Sequence, residues 1–401
     1  MPSLSLAPYR ALLRRPGTVR LVVASVVARM PTGMGALSLV LLVQSSTGSF
    51  ALAGLVAGAF TIGISAGGPL QGRLIDRLGQ TRVLLACGVV FAAAFTTLAA
   101  FAGRGAGTGV LVGCALVAGL AHPPVSAAMR VLWSTLVDGP GLQTAYAFES
   151  TMQELVFISG PLLVALLVTL ISPTAAVLAA GLLTLAGTVA FATAPASRAW
   201  RGQERTRDWA GPLRSRGFRT LNTVQPLVAA SIGGIEVGVV AFAIEDGARG
   251  RAGIILAVWS LGSLIGGLVA GARRWGGPIE RRYLLLLAAV AVAVATLLLA
   301  RNSIELAGLI FLAGLPFAPW LACVYLLVDR LAPPGTLTEA FSWVLTSFMA
   351  GFSAGTSLAG VVVDAAGAHT ALLAALAGAI LGLTVARLRL ATLSPAPAER
   401  A

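Results

Sequence analysis

The sequence predicts an all-α polytopic membrane protein: twelve transmembrane helices arranged as two pseudo-repeated six-helix bundles. Three observations carry this expectation. The 401 residues are 57% hydrophobic and only 11% charged, with mean hydropathy +0.90, which leaves too little polar surface for a soluble domain. The apolar residues fall in runs near the ~20 residues that cross a bilayer's hydrocarbon core. Similar pieces then recur, in the same order, six runs later.

Glycine, proline and charge clusters punctuate the runs. The first helix, 19–44, follows the basic stretch "MPSLSLAPYRALLRRPGTVR". A secretory signal has an apolar core of only ~7–15 residues before a cleavage site; here apolar sequence continues from Leu21 to Val43, so the helix is read as retained. The second, 50–72, ends in the charged stretch "QGRLIDRLGQTR". The third, 83–103, opens after Arg82, and the fourth, 108–130, runs to Arg130. The fifth, 143–170, follows Gly139-Pro140-Gly141, and the sixth, 172–194, comes directly after it. The polar stretch "ASRAWRGQERTRDWAGPLRSRGFR" then divides the chain. Residues 1–194 are expected to form one bundle, 195–220 a basic linker, and 221–401 the second bundle. The second bundle holds helices 221–245, 252–272, 283–301, 306–329, 338–363 and 369–388. The other connections are short, as helical bundles favour.

The net charge of +13 is topological by this reading. All 28 basic residues are Arg. With the N-terminus inside, the inner segments hold Arg10, Arg14, Arg15, Arg20, the Arg73–Arg82 group, Arg130, seven arginines of the linker, and Arg273, Arg274, Arg281, Arg282, Arg330, Arg387, Arg389 and Arg400. The outer segments hold only Arg104, Arg249, Arg251 and Arg301. The positive-inside rule therefore places both termini in the cytoplasm of a multi-pass protein of the cytoplasmic membrane. The charge would face anionic inner-leaflet lipid rather than nucleic acid. Cys87, Cys114 and Cys323 lie far apart in apolar runs and read as small buried residues. With two His and no Cys/His cluster, no metal or other cofactor is expected.

The repeat is specific in register. "HPPVSAAMRVLWSTLVDGPGLQTAYAF" from His122 overlays "FAPWLACVYLLVDRLAPPGTLTEAFSW" from Phe317 without a gap. Pro124 falls on Pro319, Ala145 on Ala340, Tyr146 on Phe341 and Gly160 on Gly355. Likewise Gly63, Gly67, Gly68 and Gly72 fall on Gly262, Gly266, Gly267 and Gly271. A parallel repeat of six-helix units is an arrangement found in transporters whose site lies between the halves.

Gly72, Asp76, Arg77 and Gly79 match Gly-x-x-x-Asp-Arg-x-Gly between the second and third helices, with Gln80 and Thr81 before Arg82. In this motif, the twelve spans and the six-plus-six repeat, the whole chain resembles the major facilitator superfamily, and it is similar to the drug and metabolite proton antiporters. The second-half counterpart, "GARRWGGPIERR", keeps Gly271 but has Trp275 in the Asp position. The resemblance points Asp76 toward the eleventh helix as a cytoplasmic gate latch between the halves. That helix opens with "GTLTEAF", where Thr336 and Glu339 have capping-box spacing. The turn residues themselves support tight reversal and close helix approach.

Ionisable residues inside spans are costly and so are functional candidates. Arg29 lies ~15 Å along the first helix, near the midplane, and Glu154 lies at similar depth in the fifth. An Arg at that depth needs an acid, and the simplest expectation pairs Arg29 with Glu154, with Glu149 or His122 nearby. A static pair that glues helices is the plainer alternative to a proton switch. Glu236, in mid-seventh helix, is a further candidate for proton or cationic-substrate contact. Gly160-Pro161 in the fifth helix resembles the Gly-Pro core of proton-driven exporters, although Val156, Val164 and Ala165 replace its flanking glycines.

The expected function is secondary active transport by alternating access: proton-coupled efflux of small amphipathic molecules such as a drug or secondary metabolite. Proton-coupled uptake of a small solute, and translocation of lipid or lysolipid, are the alternatives. The resemblance implies a cavity lined by the first, fourth, seventh and tenth helices, which offer Met30, Met34, His122, Glu236, Phe317, Trp320 and Tyr325. ATP-driven transport is not expected, since a chain without Lys has no Gly-Lys-Ser/Thr phosphate loop, and with no evident Ser/His/Asp set an enzyme is not expected either. Partners are a small-molecule substrate, protons and membrane lipid, and the chain is expected to work as a monomer.

Overall fold

A computed structural model describes residues 7–202, 210–247, 251–273 and 275–394. The described residues include eleven helical stretches long and apolar enough to cross a membrane. One of them, of 52 residues, carries a break at Gly367 (φ 81°) and crosses twice, which gives the twelve crossings the sequence predicts. Arg274, Arg249 and Arg400 lie outside the described residues.

In chain order the helices are α1 Ala7–Leu13, α2 Thr18–Thr47, α3 Phe50–Leu78, α4 Gln80–Ala102, α5 Thr108–Leu120, α6 Val125–Leu136, α7 Pro140–Leu170 and α8 Pro173–Ala192. There follow α9 Pro195–Ala199, α10 Arg216–Glu245, α11 Ala252–Ala272, α12 Ile279–Thr296, α13 Ser303–Gly314, α14 Phe317–Leu331, α15 Leu337–Leu388 and α16 Leu390–Leu393. The fourth crossing is α5 plus α6, broken at Pro123-Pro124; the tenth is α13 plus α14, broken at Leu315-Pro316. Proline lacks the N–H a continuous helix needs, so the repeat reproduces its own interruptions.

Helix starts are made locally. Ser49, Ser172 and Ser215 accept the N–H of Leu52, Ala175 and Phe218, and Asn302 caps α13 through Ile304 and Glu305. At the Gly367 break the freed N–H of Ala368 donates to Glu245 Oε1 at 2.9 Å. Buried donors need such partners. Between these ends the bundle presents a belt of exposed large apolar side chains, among them Leu162, Leu182, Leu285, Val292 and Val361, which lipid covers.

Two sequence expectations shift. Helix α3 runs to Leu78, six residues past the expected end, so Asp76 and Arg77 are helical and the reversal is made by Gly79 alone at φ 86°. Arg130, expected among the surface charges, is 3% exposed.

Candidate functional site

The two halves meet at the arginine-rich face, here called the basic face. Hydrogen bonds and ion pairs between them run inward from that face, from Asp76 beside it to Glu154 and Ser65 at mid-helix. The contacts form layers.

The outermost layer is built on Asp76. Its carboxylate accepts the N–H of Thr338 at 3.1 Å and of Glu339 at 3.0 Å, the first turn of α15. An anion at a helix N-terminus meets unpaired N–H groups and a partial positive charge. Arg73 extends the contact through Nη2 to Glu339 Oε1 at 2.7 Å. A Cβ at Gly72 would lie 2.7 Å from the Glu339 Cα, so only glycine permits this approach. Thr336 does not act as the side-chain cap its spacing suggests: its hydroxyl donates to Pro333 O at 2.7 Å. Asp76 of the other half takes that place. Arg77 and Arg82 are exposed and make no part of this contact.

Beside this layer, Tyr9 of α1 donates to Leu268 O at 2.9 Å, and Thr144 donates to Gly271 O at 3.1 Å. Further in, Arg130 Nη2 donates to Tyr325 Oη at 2.8 Å, with its guanidinium carbon 4.1 Å from the Tyr325 ring centroid. Tyr146 donates to Asp329 Oδ1 at 3.2 Å. The rings of Tyr146, Tyr325 and Phe341 stand 6.1 Å apart, pair by pair.

The innermost layer holds the membrane charges. Arg29 Nη1 pairs with Glu149 Oε1 at 2.5 Å, both side chains 2% exposed. Arg29 Nε also donates to Ser25 O, and Trp133 Nε1 donates to Glu149 Oε2 at 3.3 Å. The expected partner, Glu154, is not in this pair; it accepts Ser263 Oγ of α11 at 3.0 Å. Glu149 and Glu154 are five residues apart on one helix, roughly 140° around it, so they face different neighbours. Near this depth Thr346 Oγ1 donates to Ser65 O at 2.8 Å. Gly160 packs on the backbone of Gly33, where a Cβ would lie 2.7 Å from the Gly33 carbonyl carbon, so Gly160-Pro161 sits at the α2–α7 crossing.

Beyond these layers, which seal the basic side, α10 and α15 of the second half flank an open cavity of about 430 Å³. Glu236, Val240, Phe352, Thr356 and Asp364 are on its wall. Phe341, Phe348 and Phe352 follow one face of α15 at seven and four residues' spacing. Phe341 belongs to the seal, Phe348 stands 6.5 Å from Phe317, and Phe352 is on the cavity wall. Of the expected cavity residues only Glu236 lines it. Met34 is fully buried in one half, and Met30 accepts Ser159 Oγ. Trp320 packs on Tyr283 and Phe317 inside the other half. Tyr325 belongs to the seal. His122 stands edge-on to Phe91, 5.5 Å between centroids.

Sequence reasoning missed Arg130 and Ser263 as interface residues. For Arg130 a signal was present: the gapless overlay places it on Tyr325.

The Major Facilitator Superfamily profile matches residues 21–245. The chain is 26% identical over 370 residues to the uncharacterized MFS-type transporter y4rN of Sinorhizobium fredii, covering 88% of this chain and 90% of that protein. Its fold is similar to a bacterial homologue of the iron transporter ferroportin in an outward-facing state, with TM-score 0.76 and 15% identity over 93% of this chain and 98% of that one. It is also similar to the E. coli fucose:proton symporter FucP, with TM-score 0.73 and 16% identity over 94% and 99%.

Proposed function

The chain belongs to the major facilitator superfamily and is a multi-pass secondary transporter, and from that premise we propose that it exports small amphipathic molecules in exchange for protons. It works in the cytoplasmic membrane, with the basic face and both termini in the cytoplasm. The arginine distribution supports this orientation.

The observation that carries the coupling is the division of labour between two acids. Glu149 is tied to Arg29. Glu154 is 5% exposed, and among the described residues its carboxylate's one hydrogen bond comes from Ser263 of the opposite half. An acid with no fixed counter-cation can take up and release a proton without breaking an ion pair. Because its partner lies across the moving interface, separation of the halves changes what Glu154 faces. That links proton occupancy to conformation, as coupled transport needs. The cavity beyond the seal, with apolar walls and few polar groups, suits an adaptable amphipathic ligand.

The test is flux in proteoliposomes against a compound panel, with and without an imposed pH gradient. Substrate moving out of the basic-face compartment as protons move in supports export. Movement of substrate and protons together would establish uptake instead, and gradient-insensitive flux would reject the coupling. Maleimide labelling of an Arg201→Cys variant from outside intact cells would reject the orientation.

A further inference from the structure

We propose that Arg130, Tyr325, Tyr146 and Phe341 form a second inner gate, centred on the pseudo-twofold axis of the two halves, in which aromatic rings of one half hold a guanidinium of the other. The offset that sets Pro124 on Pro319 also sets Arg130 on Tyr325 and Tyr146 on Phe341. Both of these equivalent pairs touch: Arg130 bonds Tyr325 at 2.8 Å, and the rings of Tyr146 and Phe341 are 6.1 Å apart. A residue that contacts its own repeat counterpart lies on the axis that relates the repeats, as in a two-fold interface. The gate therefore sits where the two halves pivot past one another. The Asp76 latch, by contrast, joins α3 to α15 off that axis.

The chemistry of the pair explains why the repeat is unequal here. Arg at both positions would press two like charges together in a buried site. Tyr325 instead supplies a hydroxyl acceptor and a π face for Arg130, and Phe341 lies 5.8 Å from the same guanidinium. Arg130 and Tyr325 are 3% and 2% exposed. Among the described residues no carboxylate lies within ion-pair distance of Arg130, so the rings and the Tyr325 hydroxyl compensate its charge. Its Nε keeps an unused donor. Opening the halves separates no ion pair at this point and returns the guanidinium to water. Tyr146 adds the second tie across the axis, from its hydroxyl to Asp329. Arg130 is thus a gating residue rather than a surface charge that orients the chain.

The gate rests on the alternating-access reading, but its test needs neither substrate nor gradient. In a background with Cys87, Cys114 and Cys323 replaced by Ala, spin labels are placed at Arg82→Cys and Arg281→Cys, exposed on the basic face of opposite halves. Pulsed electron resonance in nanodiscs then reports the separation of the halves. Arg130→Met and Tyr325→Leu should each raise the ratio of long to short distances by about tenfold or more. Tyr325→Phe, which keeps the ring, should raise it less. Tyr325→Arg alone sets two guanidiniums on the axis and should open the face most. The exchange Arg130→Tyr with Tyr325→Arg should restore the short distance. The gate is overturned if Arg130→Met and Tyr325→Leu both keep the parent distribution, or if the exchange behaves like Tyr325→Arg alone. Should Arg130→Met fail to fold, the Tyr325 series and the exchange still decide. A shifted distribution in a protein that moves none of the panel compounds upholds the gate and rejects the export reading.

Discussion

Asp76 and Glu339 lie 263 residues apart in sequence, and the carboxylate of the first receives the backbone N–H of the second at 3.0 Å. One half of the molecule thus caps a helix of the other. The same contact that satisfies the helix start also closes the basic face, so the cap exists only while the halves are together.

Removing this cap should favour the open basic face. Asp76→Ala deletes both acceptors, and loss of a cap costs about 1–2 kcal/mol, a roughly five- to thirtyfold shift toward the open form. Asp76→Asn keeps one acceptor and should fall between. Maleimide labelling of a Ser342→Cys reporter, buried at this contact in the parent, should accelerate in that order. Equal rates in all three proteins would remove Asp76 from the gate.

Gly72 sets how closely α3 approaches α15. A side chain there meets the Glu339 Cα at 2.7 Å and the Thr338 carbonyl oxygen at 2.8 Å, backbone atoms that cannot turn aside. Gly72→Val should keep the folded yield but hold the basic face apart, giving fast Ser342→Cys labelling and turnover lowered by tenfold or more. Parent-like labelling would show that the helices have room to spare.

The two acids of α7 should fail in different ways. Glu149→Gln leaves Arg29 buried without its counter-charge, a defect worth about 3–5 kcal/mol, and should lower Tm in detergent. Glu154→Gln keeps a hydrogen-bonding group opposite Ser263 and should leave Tm near the parent value, while abolishing pH-gradient-driven flux. Glu154→Gln with full coupling would reject its role as proton carrier. A large loss of Tm in that variant would make Glu154 a structural residue.

Asp246, at the end of α10, offers a pH test outside the spans. It accepts the Ser303 N–H at 2.8 Å, and the bonds from Ser303 hold its carboxyl below the ordinary value. A group with a depressed folded pKa contributes stability above its unfolded value, near ~3.9, and that stability is lost as pH falls through the folded value. The Tm difference between parent and Asp246→Asn should therefore be present at neutral pH and shrink below about pH 4. A difference that persists unchanged in acid would show that charge has no part in this link.

The sequence by itself determined the membrane class, the twelve crossings and the repeat, because each depends on position along the chain; the family resemblance pointed Asp76 toward the eleventh helix, and its carboxylate meets the start of α15. Apolar run length sets a crossing, a gapless overlay sets a repeat, and Gly72, Asp76 and Gly79 stand at fixed spacing. That a buried Arg29 needs an acid was legible too, and an acid of α7 supplies it. Which acid was decided only by the tertiary structure. Run length and spacing give height along a helix, but the rotation of each helix about its axis comes from packing against all its neighbours. Five residues separate Glu149 from Glu154, roughly 140° of turn, enough to send one toward Arg29 and the other toward Ser263. The same limit hid Arg130. Counted along the chain, it is one more arginine at the basic end; turned inward by the packing of α6, it meets its own repeat counterpart, Tyr325, across the axis.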